Sequence, residues 1–132
     1  MDFHIRRYST LPILTLSVSD DIVFKEKLEN CTVTFSMIDV ETGKYVIANK
    51  SGSVVFKEKI IKTTTNDKDC FIVFKLSKMD TRFEGIFKGE FKIDFFNEGE
   101  TDSCENMIFP IKEELFIYIH DNIVKTTING FF

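Results

Sequence analysis

Five segments of the chain alternate apolar and polar side chains with the two-residue period of a β-strand. In the clearest segment, Phe87, Phe91 and Phe95 recur every four residues, and Lys and acidic residues occupy alternate positions between them. Each segment is predicted to place one face on a core and the other toward solvent. The five segments are Leu14–Val18, Cys31–Met37, Cys70–Leu76, Phe87–Phe95 and Leu115–Ile119.

Turn and loop signals separate these segments. Gly43 lies in a Glu-Thr-Gly-Lys run and can take the left-handed conformation of a hairpin turn, and Ser51-Gly52 predicts a second turn. A polar loop is expected over 62–69 and an acidic loop over 97–106. Short strands with no helices between them predict a single all-β domain, a sandwich or a barrel, over 1–132. We expect its core to span about 11–119.

Composition and charge narrow the class of protein. The chain has 132 residues, of which 43% are hydrophobic and 29% charged, which is typical of one globular domain. Fifteen Phe and no Trp indicate a core built largely from Phe, Ile and Val. The net charge of -4 gives no basic surface for nucleic acid, and no apolar run reaches membrane-helix length. We therefore expect neither a nucleic-acid nor a membrane partner.

The cysteine pattern favours a reducing compartment. Cys31, Cys70 and Cys104 are an odd number without a CxxC pair, which argues against a disulfide framework or a zinc site. No signal peptide is apparent at the N-terminus. Synthesis in a reducing cytoplasm is the expectation, with Cys31 filling the core.

Side chains for catalysis are scarce. His4 and His120 are the only histidines, and His120 falls on the polar side of its segment, where we expect it to be solvated. None of the common nucleophile, metalloprotease or nucleotide-binding motifs occurs. The sequence therefore predicts no enzyme, no catalytic residue and no cofactor.

Acidic residues cluster at Asp20-Asp21 and between Glu98 and Glu105. Paired carboxylates can bind Ca²⁺, but the spacing does not match an EF-hand, and acidic loops are usually only solvated. We predict no metal site and leave calcium as the minor alternative.

Both chain ends carry apolar and aromatic residues suited to contacts with other proteins. The N-terminal arm, 1–10, and the C-terminal tail, 120–132, are expected to dock to partners. The alternative is that they pack back on their own domain. The predicted contact residues are Phe3, Ile5, Arg6, Arg7, Tyr8, Phe131 and Phe132.

The order of three short motifs resembles a known family. Cys31–Asp39 is followed by Thr42-Gly43-Lys44, and Gly85–Phe95 and Leu115–Ile119 close the pattern. This order is similar to the immunoglobulin-like N-terminal domains of phage baseplate upper proteins and related virion modules. The resemblance implies an immunoglobulin-like antiparallel β-sandwich of about seven to nine strands.

The resemblance also implies a function. Such modules are non-enzymatic structural components of tailed-phage virions: tail, baseplate, collar or head accessory subunits. The expected location is the virion, and the expected partners are portal, neck, capsid or tail proteins. Multiple copies are expected, and self-association stays open.

A carbohydrate or host-surface binding module is the alternative function. Sugar sites commonly use exposed aromatic side chains, and Tyr45, Phe116 and Tyr118 are the candidates here. The absence of Trp weakens this alternative.

Overall fold

The computed structural model describes residues 1–18, 28–58, 68–97, 99 and 105–123. Within these ranges the chain forms nine β-strands and one short 3-10 helix, Leu28–Asn30. Each of the five alternating segments forms a strand as predicted, although Val18 and Leu76 lie just beyond their strands. The strands are β1 (Asp2–Arg6), β2 (Leu14–Ser17), β3 (Cys31–Asp39), β4 (Tyr45–Ser51), β5 (Ser53–Glu58), β6 (Lys68–Phe74), β7 (Gly85–Phe95), β8 (Glu105–Phe109) and β9 (Leu115–His120).

The strands form two sheets. The larger, six-stranded sheet has the order β1-β9-β7-β3-β4, and β8 pairs with β7 beyond the end of β9. The smaller sheet has the order β2-β6-β5. Immunoglobulin-type sandwiches place strands B, E and D in one sheet and G, F, C and C′ in the other. The orders β2-β6-β5 and β9-β7-β3-β4 follow this arrangement, so the predicted all-β sandwich is confirmed.

The prediction of purely antiparallel sheets is wrong at one edge. β1 runs parallel to β9, with Asp2 beside Phe116 and Arg6 beside His120. Every other strand pair within the described residues is antiparallel. Side chains alternate in the same way in both pairing modes, so the sequence pattern carries no information on strand direction.

Three predicted connections also differ from the structure. β6 begins at Lys68, inside the expected polar loop, and β8 begins at Glu105, inside the expected acidic loop. At Gly52 the chain crosses from the larger to the smaller sheet, and its amide donates to the Val33 carbonyl at 2.9 Å. A Cβ there would lie 3.0 Å from the Val73 carbonyl oxygen, so this crossing favours glycine. Gly43 does close the β3–β4 hairpin with a positive φ of 72°.

The core lies between the two sheets and is centred on Phe35. The Phe35 ring is fully buried and packs 4.6 Å from the Phe74 ring of the smaller sheet and 4.8 Å from Phe91 on β7. It lies directly over Gly89, where an added Cβ would come within 2.8 Å of both Phe35 and Ile117. Aromatic contacts of this kind are stabilising beyond the area they bury. Of the expected Phe, Ile and Val, Phe and Ile dominate the core of the described residues, and Leu is more frequent there than Val.

Candidate docking face on the six-stranded sheet

The six-stranded sheet has one face on the core and one face away from it. On β7, Phe87, Phe91 and Ile93 point into the core, and Ile86 and Lys88 point outward because successive side chains alternate. An outward sheet face that only meets water normally carries polar residues. The outer face of this sheet departs from that rule at one end.

Two adjacent rows of side chains cross this end of the sheet. In the first row, His4 pairs with Tyr118 and Tyr118 with Ile86, whose carbonyl accepts a hydrogen bond from the Val40 amide at 3.2 Å. Val40 and Ile86 are each about half exposed, at 49% and 48%. The His4 ring stacks on Tyr118 with 4.7 Å between centroids. This row therefore presents two aromatic rings and two exposed aliphatic side chains.

The second row lies two residues further along each strand. Phe116 pairs with Lys88, Lys88 with Ile38, and Ile38 with Tyr45, so the row spans four strands. Tyr45 is 70% exposed, and Ile38 and Phe116 are half-buried. We call the apolar members of both rows the docking face. They are Ile38, Val40, Tyr45, Ile86, Phe116 and Tyr118.

Charged side chains lie within and beside the docking face. Lys88 lies in the second row between Phe116 and Ile38, and its amine pairs at 2.8 Å with Glu114, just before β9. Beyond them, residues 110–114 connect β8 to β9. This connection lies opposite Glu90 of β7, and its Ile111 is 72% exposed. Polar groups around an apolar centre are the usual composition of a protein interface.

The predicted N-terminal contact residues form part of the domain itself. Ile5 is buried in the core at 3% exposure, and Phe3 packs half-buried against the same core. The Arg6 guanidinium donates to the Asp121 carbonyl at 2.7 Å, and Arg7 donates to the Arg82 carbonyl at 2.8 Å. These interactions join β1 to its own sheet and to neighbouring turns.

Tyr8 is the most exposed of the aromatic residues near the N-terminus. Its side chain is 48% exposed and its φ is +59°, the left-handed region that bulky residues seldom adopt. The Tyr8 amide donates to the Thr81 carbonyl at 3.1 Å, and the Thr81 hydroxyl donates to the Ser9 carbonyl at 3.0 Å. Residues 8 and 9 are therefore attached to the turn that precedes β7.

Other predicted site residues lie outside the described residues. Among them are the predicted C-terminal contacts, Phe131 and Phe132, and Cys104. The carboxylates weighed for calcium are there too, apart from Glu105 at the start of β8.

The two histidines lie together, which sequence reasoning missed. Both side chains are exposed, as predicted for His120, but Nδ1 of His4 lies 2.8 Å from Nε2 of His120. His120 follows the alternating segment Leu115–Ile119 on its polar side, but His4 lies outside all five segments, so the sequence does not predict that their strands are neighbours.

Cys31 meets the expectation of a core-packed thiol. Its side chain is half-buried, packs against the core and donates to the Leu28 carbonyl at 3.2 Å. Burial disfavours the thiolate, and a negative charge on nearby Cys70 would disfavour it further, which together raise the pKa of Cys31 to about 11. The thiol is therefore a poor nucleophile near neutral pH.

Two structural features and the comparisons complete the description of the site. No group of three or more His, Cys, Asp or Glu side chains among the described residues can hold a metal ion. In the same part of the chain, no helix has the length and apolar character needed to cross a membrane. No protein-family model, curated protein sequence or solved structure matches the chain.

The raised pKa predicts slow, strongly pH-dependent alkylation of Cys31. In a Cys104→Ser variant, iodoacetamide should label Cys31 about 100-fold more slowly near pH 8 than an unstructured cysteine peptide. The rate should still rise tenfold per pH unit at about pH 10, because ionisation is incomplete until the pKa is passed. Peptide mass spectrometry measures the rate, and a urea-unfolded sample is the control. A rate that levels off near pH 9 in the folded protein would contradict the assignment.

Proposed function

We propose that this protein is a non-enzymatic structural subunit of a tailed-phage virion that docks through the docking face onto a larger virion protein. The observation that carries the proposal is the exposure of Val40, Tyr45 and Ile86 on an otherwise regular sheet face. Contiguous exposed apolar patches on soluble domains commonly mark interfaces.

The geometry of the docking face supports a protein partner. Its apolar centre spans neighbouring strands of a sheet whose other side is a packed core, so its side chains are held on a rigid support. Rigid aromatic and aliphatic anchors bordered by polar groups are typical of interfaces in which a few residues dominate binding. Glu114 supplies such a border at one side, and Lys88 adds a charged group within the face, between Phe116 and Ile38.

The virion setting is supported by the resemblance. The motif order that is similar to phage baseplate modules lies on β3, β7 and β9, three neighbouring strands of the six-stranded sheet. In this proposal the chain is made in the host cytoplasm and assembles in multiple copies on tail, neck or head proteins. The N-terminal residues then serve chiefly to complete the sheet, with Arg6 and Tyr8 as the exposed members among the predicted N-terminal contacts.

Co-sedimentation with phage particles tests both parts of the proposal. The wild-type chain should band with particles of the encoding phage in a density gradient, and Ile86→Lys should reduce its occupancy at least roughly tenfold because a charge enters the apolar contact. The matched control is Met79→Lys, since Met79 is 61% exposed and lies in the turn before β7, outside the docking face and both predicted docking segments. Circular dichroism checks that both variants fold.

The outcomes separate the setting from the surface. A wild-type chain that is absent from purified particles would refute the virion role. A chain that is present, with Ile86→Lys retained as well as Met79→Lys, would refute the assignment of the docking face.

A carbohydrate-binding role is the second candidate, and one observation favours it. The three aromatic residues proposed for a sugar site, Tyr45, Phe116 and Tyr118, all lie on the outer face of the same sheet. Two of them are half-buried, so only Tyr45 presents most of its ring to solvent.

A glycan array distinguishes this candidate from protein docking. If the face binds sugar, the isolated domain gives specific signals that Tyr45→Ala removes, because stacking on the exposed ring is lost. Phe83→Ala is the matched control, since Phe83 is exposed at 59% and lies outside the docking face. A blank array for the wild-type domain would retire the carbohydrate role.

A further inference from the structure

The two histidines of the chain form a close pair across the edge of the six-stranded sheet. Nδ1 of His4 and Nε2 of His120 are 2.8 Å apart, although 116 positions separate the residues in sequence. Their ring centroids lie 5.1 Å apart with 15° between the ring planes. The separation of the centroids is about equal to the N–N distance plus the radius of each ring, as expected when the two nitrogens lie on the line between the centroids. Each nitrogen therefore points directly at the other.

Packing on both faces of the sheet holds the pair in place. The parallel register sets Arg6 beside His120 and His4 beside Tyr118. The His4 ring stacks on Tyr118 at 4.7 Å with 14° between planes, which fixes its orientation. Buried Ile5 on the core side of β1 fixes the strand beneath it. The imidazoles are therefore arranged before any ligand arrives.

Facing imidazole nitrogens are a chelating donor set. A transition-metal ion binds imidazole nitrogen at about 2.0–2.1 Å, and two such bonds in tetrahedral geometry place the nitrogens roughly 3.3 Å apart. Because the two nitrogens point at each other, each ring must also turn by roughly 35° to direct its lone pair at a shared tetrahedral ion. Both side chains are exposed, which leaves room for this rotation and for the extra separation. Nitrogen donors favour Ni²⁺, Cu²⁺ and Zn²⁺ over Ca²⁺ and Mg²⁺.

We infer that His4 and His120 together bind one divalent first-row transition-metal ion, which replaces the hydrogen bond between their rings. The described residues offer no third His, Cys, Asp or Glu ligand at this point, so water completes the coordination. The ion joins β1 to β9 and thereby fastens the edge strand of the sheet. A ligand that binds only the folded chain raises its melting temperature.

Ni²⁺ titration of the untagged chain tests this site, because these are the only two histidines in the sequence. A Cys104→Ser background removes a competing thiol. Calorimetry should give one Ni²⁺ per chain near neutral pH, and the ring-proton signals of both histidines should broaden together in NMR spectra. His4→Gln and His120→Gln should each weaken binding on the order of 100-fold, because a chelate becomes a single-ligand site.

The matched control is Lys92→Gln, an exposed residue of β7 that pairs with Thr34 and lies away from β1 and β9, and it should leave Ni²⁺ affinity unchanged. The melting temperature should rise with Ni²⁺ concentration in the wild type and not in either Gln variant. Two separate binding endpoints, one Gln variant with unaltered affinity, or no binding at millimolar Ni²⁺ would each overturn the inference. None of these results bears on the proposed docking role, which does not depend on a metal.

Discussion

The seating of the Phe35 ring over Gly89 is the contact on which the rest of the sandwich depends. The Phe35 ring can lie on the backbone of β7 because Gly89 beneath it has no side chain. A Cβ added at Gly89 would lie 2.8 Å from that ring. The ring then meets Phe74 of the opposite sheet at 4.6 Å. One side chain thus sets the spacing between sheets at the centre of the core, where interiors tolerate little change in volume.

This arrangement also determines what is left for function. Because Phe87, Phe91 and Ile93 point into the core, the intervening positions of β7 must face outward. The apolar outward residue Ile86 joins Tyr118 and Val40 at the end of the sheet where β1 and β9 pair. The docking face and the histidine pair both follow from this alternation and from the position of β1 at the sheet edge.

Much of the fold follows from local pattern, and much of the site does not. The alternating segments on β3, β7 and β9 predicted strands correctly, because a period of two is a property of each strand alone. For β1 the sequence favours a docking arm, with packing on the domain as the alternative, because five residues give too little alternation to judge. In the structure Ile5 is buried in the core. The parallel pairing of β1 and the meeting of His4 with His120 depend on strand order, which the side-chain period does not encode.

A double-mutant cycle on Phe35 and Gly89 tests the central packing claim most directly. Gly89→Ala alone should lower the free energy of unfolding by about 1–3 kcal/mol, because the new methyl group meets the ring. In a Phe35→Leu background the same substitution should cost less, since the ring atoms are gone and only the terminal methyl of Ile117 still lies within 2.8 Å, giving a coupling energy of about 0.5–3 kcal/mol by urea denaturation. Costs that add with no coupling, or a neutral Gly89→Ala, would contradict the structure described for the core.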